Sequence, residues 1–381
     1  MEEKVNNILG FNPSHHGSVC LLQKGDIKAF IEEERITRQK YKGYPFKSFI
    51  NLLQNYEINH LAWASPGLLY PINHLEYDHF LENSIPIWLL LASSYQSSQN
   101  IDCSDLSIEF HHTVHAAHAF YNSGFDEALA IVVDGSGSGI KKDYQNKEHK
   151  SSYKCSYPDN FIPVEKLSFG RNSPNKEYVS DCRSYEGITH YLGWNRNEAG
   201  KTMGLSSYGK YDKNIPSFLG KQKHKVWKNI WDDPESLGDL ELNISNFPYL
   251  KLKTNPKEWH KNPSKITNLE KNIAYKTQQE SQQVVGDLIE KGLKETGLKQ
   301  VCCSGGYFLN CVTNYYLTKR FPDIKFYFEP IASDAGTAIG AAKLAWHEKT
   351  YDKKLRPQKT LYYGPEYTKE QLLEGIQKYL D

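Results

Sequence analysis

The chain has 381 residues, a formal net charge of +1 and 39% hydrophobic residues, enough for two domains or one large bilobal unit with a substantial core. The balanced charge gives no global drive toward nucleic acid or an anionic membrane. The 7 cysteines are irregularly spaced and make no disulfide framework, so each reads as a small buried hydrophobe.

Met1-Glu2-Glu3-Lys4 leads straight into a short strand without a signal-peptide pattern. Asn7–Asn12 reads as a strand, Pro13-Ser14-His15-His16-Gly17 as a polar turn, Ser18–Leu22 as a second strand and Ile27–Glu32 as a third, which together make a meander. Phe46, Phe49, Ile50, Leu52 and Leu53 recur at helical spacing between Pro45 and Tyr56, and His60–Ala64 follows as a strand. The most apolar run, Ile85–Ala92, is too short to span a bilayer and reads as a core helix. A soluble, cytoplasmic protein with no membrane partner is the expectation. A histidine-rich helix then runs to about Tyr121.

A second opening resembles the first. Ala128–Asp134 is a strand, Gly135-Ser136-Gly137-Ser138-Gly139 a flexible turn, and a further strand is expected near Ile140. Two such openings suggest duplicated α/β halves facing each other. That is the actin-like or sugar-kinase-like fold, in which paired hairpin turns hold a nucleotide's phosphates in a cleft. From about 210 to 265 tryptophans, asparagines and prolines crowd into an inserted segment of undefined secondary structure. From Ile273, apolar and small residues line one face of a helix that Gly297 stops. Val301–Ser304 is a strand ending in Gly305-Gly306, followed by a helix through Leu317, a strand at Ile324–Phe328, and the small-residue helix Ala335–Ala342, which must pack very closely.

His111 and His115 stand one helical turn apart, so both imidazoles share a face and can reach one cation. Asp134, at a strand end, and Asp334, before the small-residue helix, are natural third and fourth ligands. Two imidazoles with two carboxylates suit iron(II), zinc or manganese better than calcium. The plainer readings are packed or solvent-facing helix histidines and, for Asp334, a helix N-cap. Gly135, Gly137 and Gly139, and separately Gly305 and Gly306, expose backbone N–H groups suited to phosphate oxygens. Each cluster also reads as an ordinary turn, and neither matches the dinucleotide fingerprint. His16 sits at the phosphate end of such a cleft, where a neutral imidazole serves as general base for a hydroxyl; His15 competes for the role. The charged run Glu32–Lys40 reads as a solvated element end, or as a source of basic groups for a phosphate.

In order along the chain, Ile8-Leu9-Gly10 with His16 and Ser18, Glu33–Lys40, His111–Ala117, Val133-Asp134-Gly135, Lys201–Gly209, Ser304–Cys311 and Ser333–Gly336 resemble the motifs of the NodU-type O-carbamoyltransferases, the tobramycin-carbamoylating enzymes among them. The resemblance implies an actin-like transferase domain related to the tRNA threonylcarbamoyl-transferases, followed by a YrdC-like domain. The second domain is expected to make carbamoyl-adenylate from carbamoyl phosphate and ATP. The first passes the carbamoyl group to an acceptor hydroxyl, and AMP leaves. It further implies that His111, His115, Asp134 and Asp334 hold iron, that His16 is the base, and that Lys40 is the cation beside the carbamoyl-phosphate linkage. Gly305 and Gly306 match the adenosine-side turn, in the same block as Asn310; Gly135 and Gly137 belong to the facing turn.

The expected division is 1–122 for the first lobe, 123–345 for the second and 346–381 for a linker. Tyr363–Tyr367 resembles the opening of the YrdC-like domain, so adenylate formation is expected either later in a longer chain or in trans. Gly17 replaces the usual aspartate. His118 replaces a small residue and is expected to perturb the metal shell or meet substrate. Acceptors range from small hydroxylated metabolites to a hydroxymethylated pyrimidine in a nucleotide or nucleic acid. The alternatives are a tRNA threonylcarbamoyl-transferase-like enzyme and a non-catalytic nucleotide-binding protein.

Overall fold

The computed structural model of the chain describes residues 6–64, 92, 101–106, 111–140, 143–170, 180–219, 227–228, 241–242, 266–364 and 367–380. Two sheets organise them. The first contains β1 (Asn7–Asn12), β2 (Ser18–Gln23), β3 (Asp26–Glu32), β4 (His60–Ala64) and β5 (Asp102–Leu106), in the spatial order β3-β2-β1-β4-β5. The second contains β6 (Glu127–Val133), β7 (Gly139–Ile140), β8 (Asp143–Ser156), β9 (Asn160–Gly170), β12 (Gln300–Ser304) and β13 (Lys325–Phe328). With the two-residue β7 set aside, its order is β9-β8-β6-β12-β13.

The two orders are the same, and so are the directions. Each sheet opens with an antiparallel meander and then adds two parallel strands beside its first strand. Short turns can join the antiparallel strands, whereas the parallel ones need crossovers. The duplication expected from the two strand–turn–strand openings is therefore present, as an α/β fold of actin-like type. Strands β1, β4 and β6 are buried on both faces, which is why they read as continuous apolar runs.

Among the described residues the α-helices are α1 (Glu33–Thr37), α2 (Phe46–Asn55), α3 (His111–Ser123), α4 (Asp181–Tyr191), α5 (Ala199–Ser206), α6 (Asn268–Thr296), α7 (Cys311–Arg320), α8 (Thr337–Thr350) and α9 (Lys369–Gln377). Helix α2 buries Phe49, Leu52 and Leu53 as its periodicity predicts. The acidic run before it is only partly solvated, because Glu33 is buried. Its Oε2 accepts hydrogen bonds from the backbone N–H and the hydroxyl of Ser48, at 2.9 and 2.8 Å. Helix α6 ends where Gly297 turns left-handed at φ 69°, but begins earlier than expected, at a capping box of Thr267 and Glu270.

The small residues of α8 have a definite use. A Cβ on Gly10 of β1 would overlap the carbonyl of Ala338, and one on Gly340 would overlap the carbonyl of Val114 in α3. Helix α8 thus lies against β1, β2 and β4 of the first sheet, while α3 lies against β6 and β12 of the second. Each sheet is covered partly by a helix from the other half of the sequence, an exchange that a division at 122 and 345 does not capture.

The long hairpin β8–β9 and helices α4 and α5 carried no periodicity that marks them as elements, although α5 overlaps the Lys201–Gly209 motif. Strand β8 is polar in composition yet buries Glu148, His149, Lys150, Ser151 and Ser152, so it lacks the apolar alternation that marks a half-buried strand. The run Ile85–Ala92 lies outside the described residues except for buried Ala92. The inserted segment is likewise mostly outside them, apart from its first residues and the two-residue strands β10 (Trp227–Lys228) and β11 (Glu241–Leu242), which pair with each other. Among the described residues no helix is long and apolar enough to cross a membrane.

Candidate metal centre

Helix α3 presents His111 and His115 from one face, with ring centroids 4.7 Å apart and planes at 81°. Asp134 directly follows β6, and Asp334 opens the short 3-10 turn before α8. One ligating atom from each of the four lies within 4.8 Å of the others, and all four residues are buried. His111 Nε2 is 3.5 Å from Asp134 Oδ2 and 3.8 Å from Asp334 Oδ1, and His115 Nε2 is 3.5 Å from Asp334 Oδ1.

Neighbouring groups fix these side chains. His115 Nδ1 is 3.1 Å from Ser304 Oγ at the end of β12, which leaves Nε2 facing the carboxylates. Gly306 donates its N–H to Asp134 Oδ1 at 3.1 Å. The 3-10 turn is tied to the first sheet, since Asn12 Nδ2 donates to the carbonyl of Asp334 at 2.8 Å and Ser18 Oγ donates to that of Ala335 at 2.7 Å.

Both ring nitrogens of His111 and Nε2 of His115 are buried without a hydrogen-bond partner, a costly state for polar atoms unless something binds them. The two Nε2 atoms face two carboxylates that stay ionised. Burial opposes the charge on Asp134, but His111 and His115 outweigh it and hold the group well below the carboxylate range. Asp334, opposed by burial and by Asp134, is still lowered to about 2 by His115 and His111. Burial likewise opposes a proton on His111, yet the two aspartates raise its pKa to about 9. Four candidate ligand atoms, two of them anionic, in a buried cluster that draws positive charge fit a divalent cation, and the donor set suits a transition metal.

The other expected residues lie around this cluster. His16, in the β1–β2 turn, is half-buried; its Nδ1 has no hydrogen-bond partner, and its ring sits edge-on to Tyr41 at 5.2 Å. Burial, then the adjacent His15, lowers its pKa below 6.5. His15 is more exposed and reaches the cluster directly, with Nδ1 3.5 Å from Asp334 Oδ2. Lys40 is exposed, on the loop just before Tyr41. That loop is clasped to the histidine turn where Gly17 donates to Lys42 O at 3.0 Å and Tyr44 donates to Pro13 O at 3.4 Å.

Gly305, at φ 98°, lies so close to β6 that a Cβ would overlap the carbonyl of Val133. Gly137 is held by its N–H to Glu148 O at 2.8 Å, and a Cβ there would come within 2.8 Å of the His112 ring. The carbonyl of Gly135 accepts from Ser180 Oγ at 2.8 Å. Asn310 is engaged inside the protein. Its Oδ1 caps α7 at Thr313 N, 3.0 Å away, and its Nδ2 donates to Gln278 at 2.9 Å.

His118 lies farther along α3. It is fully buried and outside the four-residue cluster, with Nε2 3.4 Å from Glu329 Oε1 and its ring packed where a Cβ on Gly336, in the turn of Asp334, would fall. Its position follows from helical geometry, since i+7 from His111 carries it two turns along α3, beyond the cluster. Ser304, Asn12 and Ser18 went unrecognised as supports of the ligands. Ser304, the last residue of a strand running into paired glycines, and Ser18 both stood within the motifs; Asn12 did not.

Comparison with known proteins places this architecture. The chain is 27% identical to an uncharacterized protein of Synechocystis, sll1178, over 97% of this chain and 62% of that protein. It is 24% identical to the nodulation protein NolNO of Sinorhizobium fredii, over 94% of this chain and 50% of that protein. The chain thus spans roughly half to three-fifths of the length of these relatives. Among solved structures, HypF of T.kodakarensis superposes with a TM-score of 0.54 at 12% identity, covering 91% of this chain and 48% of that one, a likeness of fold alone. Residues 74–343, which include all four clustered side chains, match the family model described as carbamoyltransferase N-terminus, and the chain belongs to that family.

Proposed function

We propose that the chain is the transferase part of an O-carbamoyltransferase, which moves a carbamoyl group from carbamoyl-adenylate to an acceptor hydroxyl and releases AMP. The observation that carries this reading is the convergence of His111, His115, Asp134 and Asp334 beside the first turn of each duplicated half, in a member of the carbamoyltransferase family.

In this reading the four side chains hold a divalent metal, iron(II) foremost. When bound, it supplies a fixed positive charge for the nucleotide's phosphate. Gly305, Gly306 and the Asn310 region frame the adenosine side, and Gly135 and Gly137 the phosphate side. His16, neutral at pH 7, takes the acceptor's proton as the hydroxyl oxygen bonds to the carbamoyl carbon. The bond from that carbon to the phosphate oxygen breaks, and its electron pair leaves with AMP. Lys40, on the loop over the histidine turn, stabilises the negative charge developing there, an effect of about 3 kcal/mol for a well-aimed donor.

Carbamoyl-adenylate itself comes from carbamoyl phosphate and ATP on a YrdC-like domain, either later in a longer protein or in trans. The acceptor is a hydroxylated small molecule, with a hydroxymethylated pyrimidine, free or in nucleic acid, as the variant; the setting is cytoplasmic. The test supplies the metal-loaded chain with carbamoyl-adenylate and a panel of alcohols and follows AMP and carbamate esters by mass spectrometry. Acceptor-dependent AMP release with a matching ester supports the reading. Hydrolysis alone with every acceptor overturns it.

A further inference from the structure

The connection from β13 to α8, Glu329 to Gly336, carries Asp334 and is held from both halves of the fold. From the first sheet, Asn12 and Ser18 donate to the carbonyls of Asp334 and Ala335. From the second half come two buried side chains that the chemistry above does not use, His118 and Glu329. The stripe of α3 that bears His111 and His115 at i and i+4 bears His118 at i+7. Its ring fills the space that Gly336, lacking a side chain, leaves open: a Cβ there would lie 2.1 Å from His118 Cε1. His118 Nε2 in turn lies 3.4 Å from Glu329 Oε1. That same oxygen accepts from the backbone N–H of Ile331 at 3.1 Å, so the carboxylate grips the turn just ahead of Asp334. The other oxygen, Oε2, accepts from Asn122 Nδ2 at 2.9 Å and from the Tyr327 hydroxyl at 3.1 Å. Lys343 Nζ donates to Asn122 Oδ1 at 2.6 Å and so sets which way that amide faces.

A buried carboxylate bonded from both of its oxygens is a fixed point, because moving it would strand its donors. The turn it grips is built from small residues, Ala332, Ser333, Ala335 and Gly336, which have little bulk of their own to define a path. The His118 ring supplies that bulk at a cost, since both of its nitrogens are buried without a hydrogen bond. An apolar side chain would fill the space without that cost, yet could not lie against the Glu329 carboxylate. We infer that His118 and Glu329 are positioning residues for Asp334. The ring wedges the turn at Gly336, the carboxylate anchors it at Ile331, and together they set how far Asp334 reaches toward the imidazoles of His111 and His115. The inference rests on the metal reading of the cluster and adds the residues that hold one of its ligands in place. Metal–ligand distances tolerate only about 0.2 Å of error, so a turn left free to shift by more binds the cation less tightly.

The experiment titrates the full chain with cobalt(II), followed by its visible absorption bands, and measures hydrogen–deuterium exchange of residues 331–336 before metal is added. His118→Ala is expected to weaken cobalt binding about tenfold or more, the scale of a lost support behind a ligand. It should also shift the absorption bands and speed exchange selectively in residues 331–336. Glu329→Gln, which keeps the shape but turns one acceptor into a donor, should weaken binding similarly. His118→Gln, which keeps a polar end within reach of Glu329, should retain part of the affinity. Leu53→Ala, in the core under α2, should lower stability yet leave affinity, bands and that exchange unchanged. Equal affinity and equal exchange in His118→Ala and the unsubstituted chain overturn the inference, as does an equally large loss of affinity in Leu53→Ala. If the unsubstituted chain binds no cobalt, exchange decides: selective speeding in His118→Ala upholds the wedge as the support of this turn and removes the metal reading, and unchanged exchange overturns both.

Discussion

His115 Nδ1 lies 3.1 Å from Ser304 Oγ, joining a helix of one half to a strand end of the other. The contact fixes the ring so that Nε2 faces Asp334. Supports of this kind orient a ligating imidazole and commonly contribute 10–100-fold, roughly, to metal affinity. Ser304→Ala is therefore expected to weaken metal binding by that order with little change in fold, read by metal content after dialysis against graded chelator. His111→Ala is expected to lose the metal outright. Unchanged content in His111→Ala would remove it from the ligand set.

The two glycines of the β12 turn should behave differently. Gly305 has φ 98°, and a Cβ there would overlap the carbonyl of Val133. Gly305→Ala is expected to cost about 1–3 kcal/mol or more from backbone strain alone, read as a lower denaturant midpoint. At Gly306 the new Cβ would meet only Asp134 Oδ1, at 3.2 Å. Gly306→Ala should fold nearly normally but displace the aspartate and lower metal affinity. Equal loss of stability in both would contradict this division.

His16→Ala is expected to retain nucleotide binding and lose carbamoyl transfer by about 100-fold or more, the scale of a missing general base. Because burial and His15 lower the pKa of His16 below 6.5, its basic form predominates at neutral pH. Transfer should stay flat above pH 6.5 and fall as acid protonates the ring. Since His15 is the imidazole that touches Asp334, His15→Ala is expected to alter metal affinity more than this pH profile. The reverse pattern would exchange the two roles.

Acid should destabilise the fold well above the carboxylate range. Burial lowers the pKa of His60 and of His347 to about 4 each. Unfolded, these rings bind protons near pH 6.5; folded, they refuse them until about pH 4. The unfolded state thus binds more protons across that window, and stability falls as the pH drops through it, by up to about 1.4 kcal/mol per pH unit for each ring. Urea midpoints measured from pH 7 to 4.5 should decline, and the His60→Gln/His347→Gln double variant should flatten the slope. An unchanged slope would place the acid sensitivity elsewhere.

Much of the frame is local and was legible for that reason. The i, i+4 spacing puts His111 and His115 on one face whatever surrounds the helix. The apolar runs of β1, β4 and β6 declare strands buried on both faces, and repetition of the strand–turn–strand opening declares two halves. The small residues of α8 announce a close approach without naming what is approached. Asp134, at a strand end, and Asp334, before the small-residue helix, were readable as partners of the histidines from their positions, and the ordered motifs then carried the family.

Tertiary structure alone decided the rest, because contacts between residues hundreds of positions apart leave no periodicity to read. Asn12 holds the turn of Asp334 across 322 positions, and Ser304 aims His115 across 189. The exchange of α3 and α8 between the sheets depends on which faces pack, not on the order of elements. Strand β8 stays hidden in a polar composition because some of its buried groups find partners only in the folded chain; Lys150, for example, donates to Asp181. His118 replaces a small residue of the family's motif, and only the packing shows that it meets Glu329. Spacing fixes which side chains share a face, and only packing decides what that face meets.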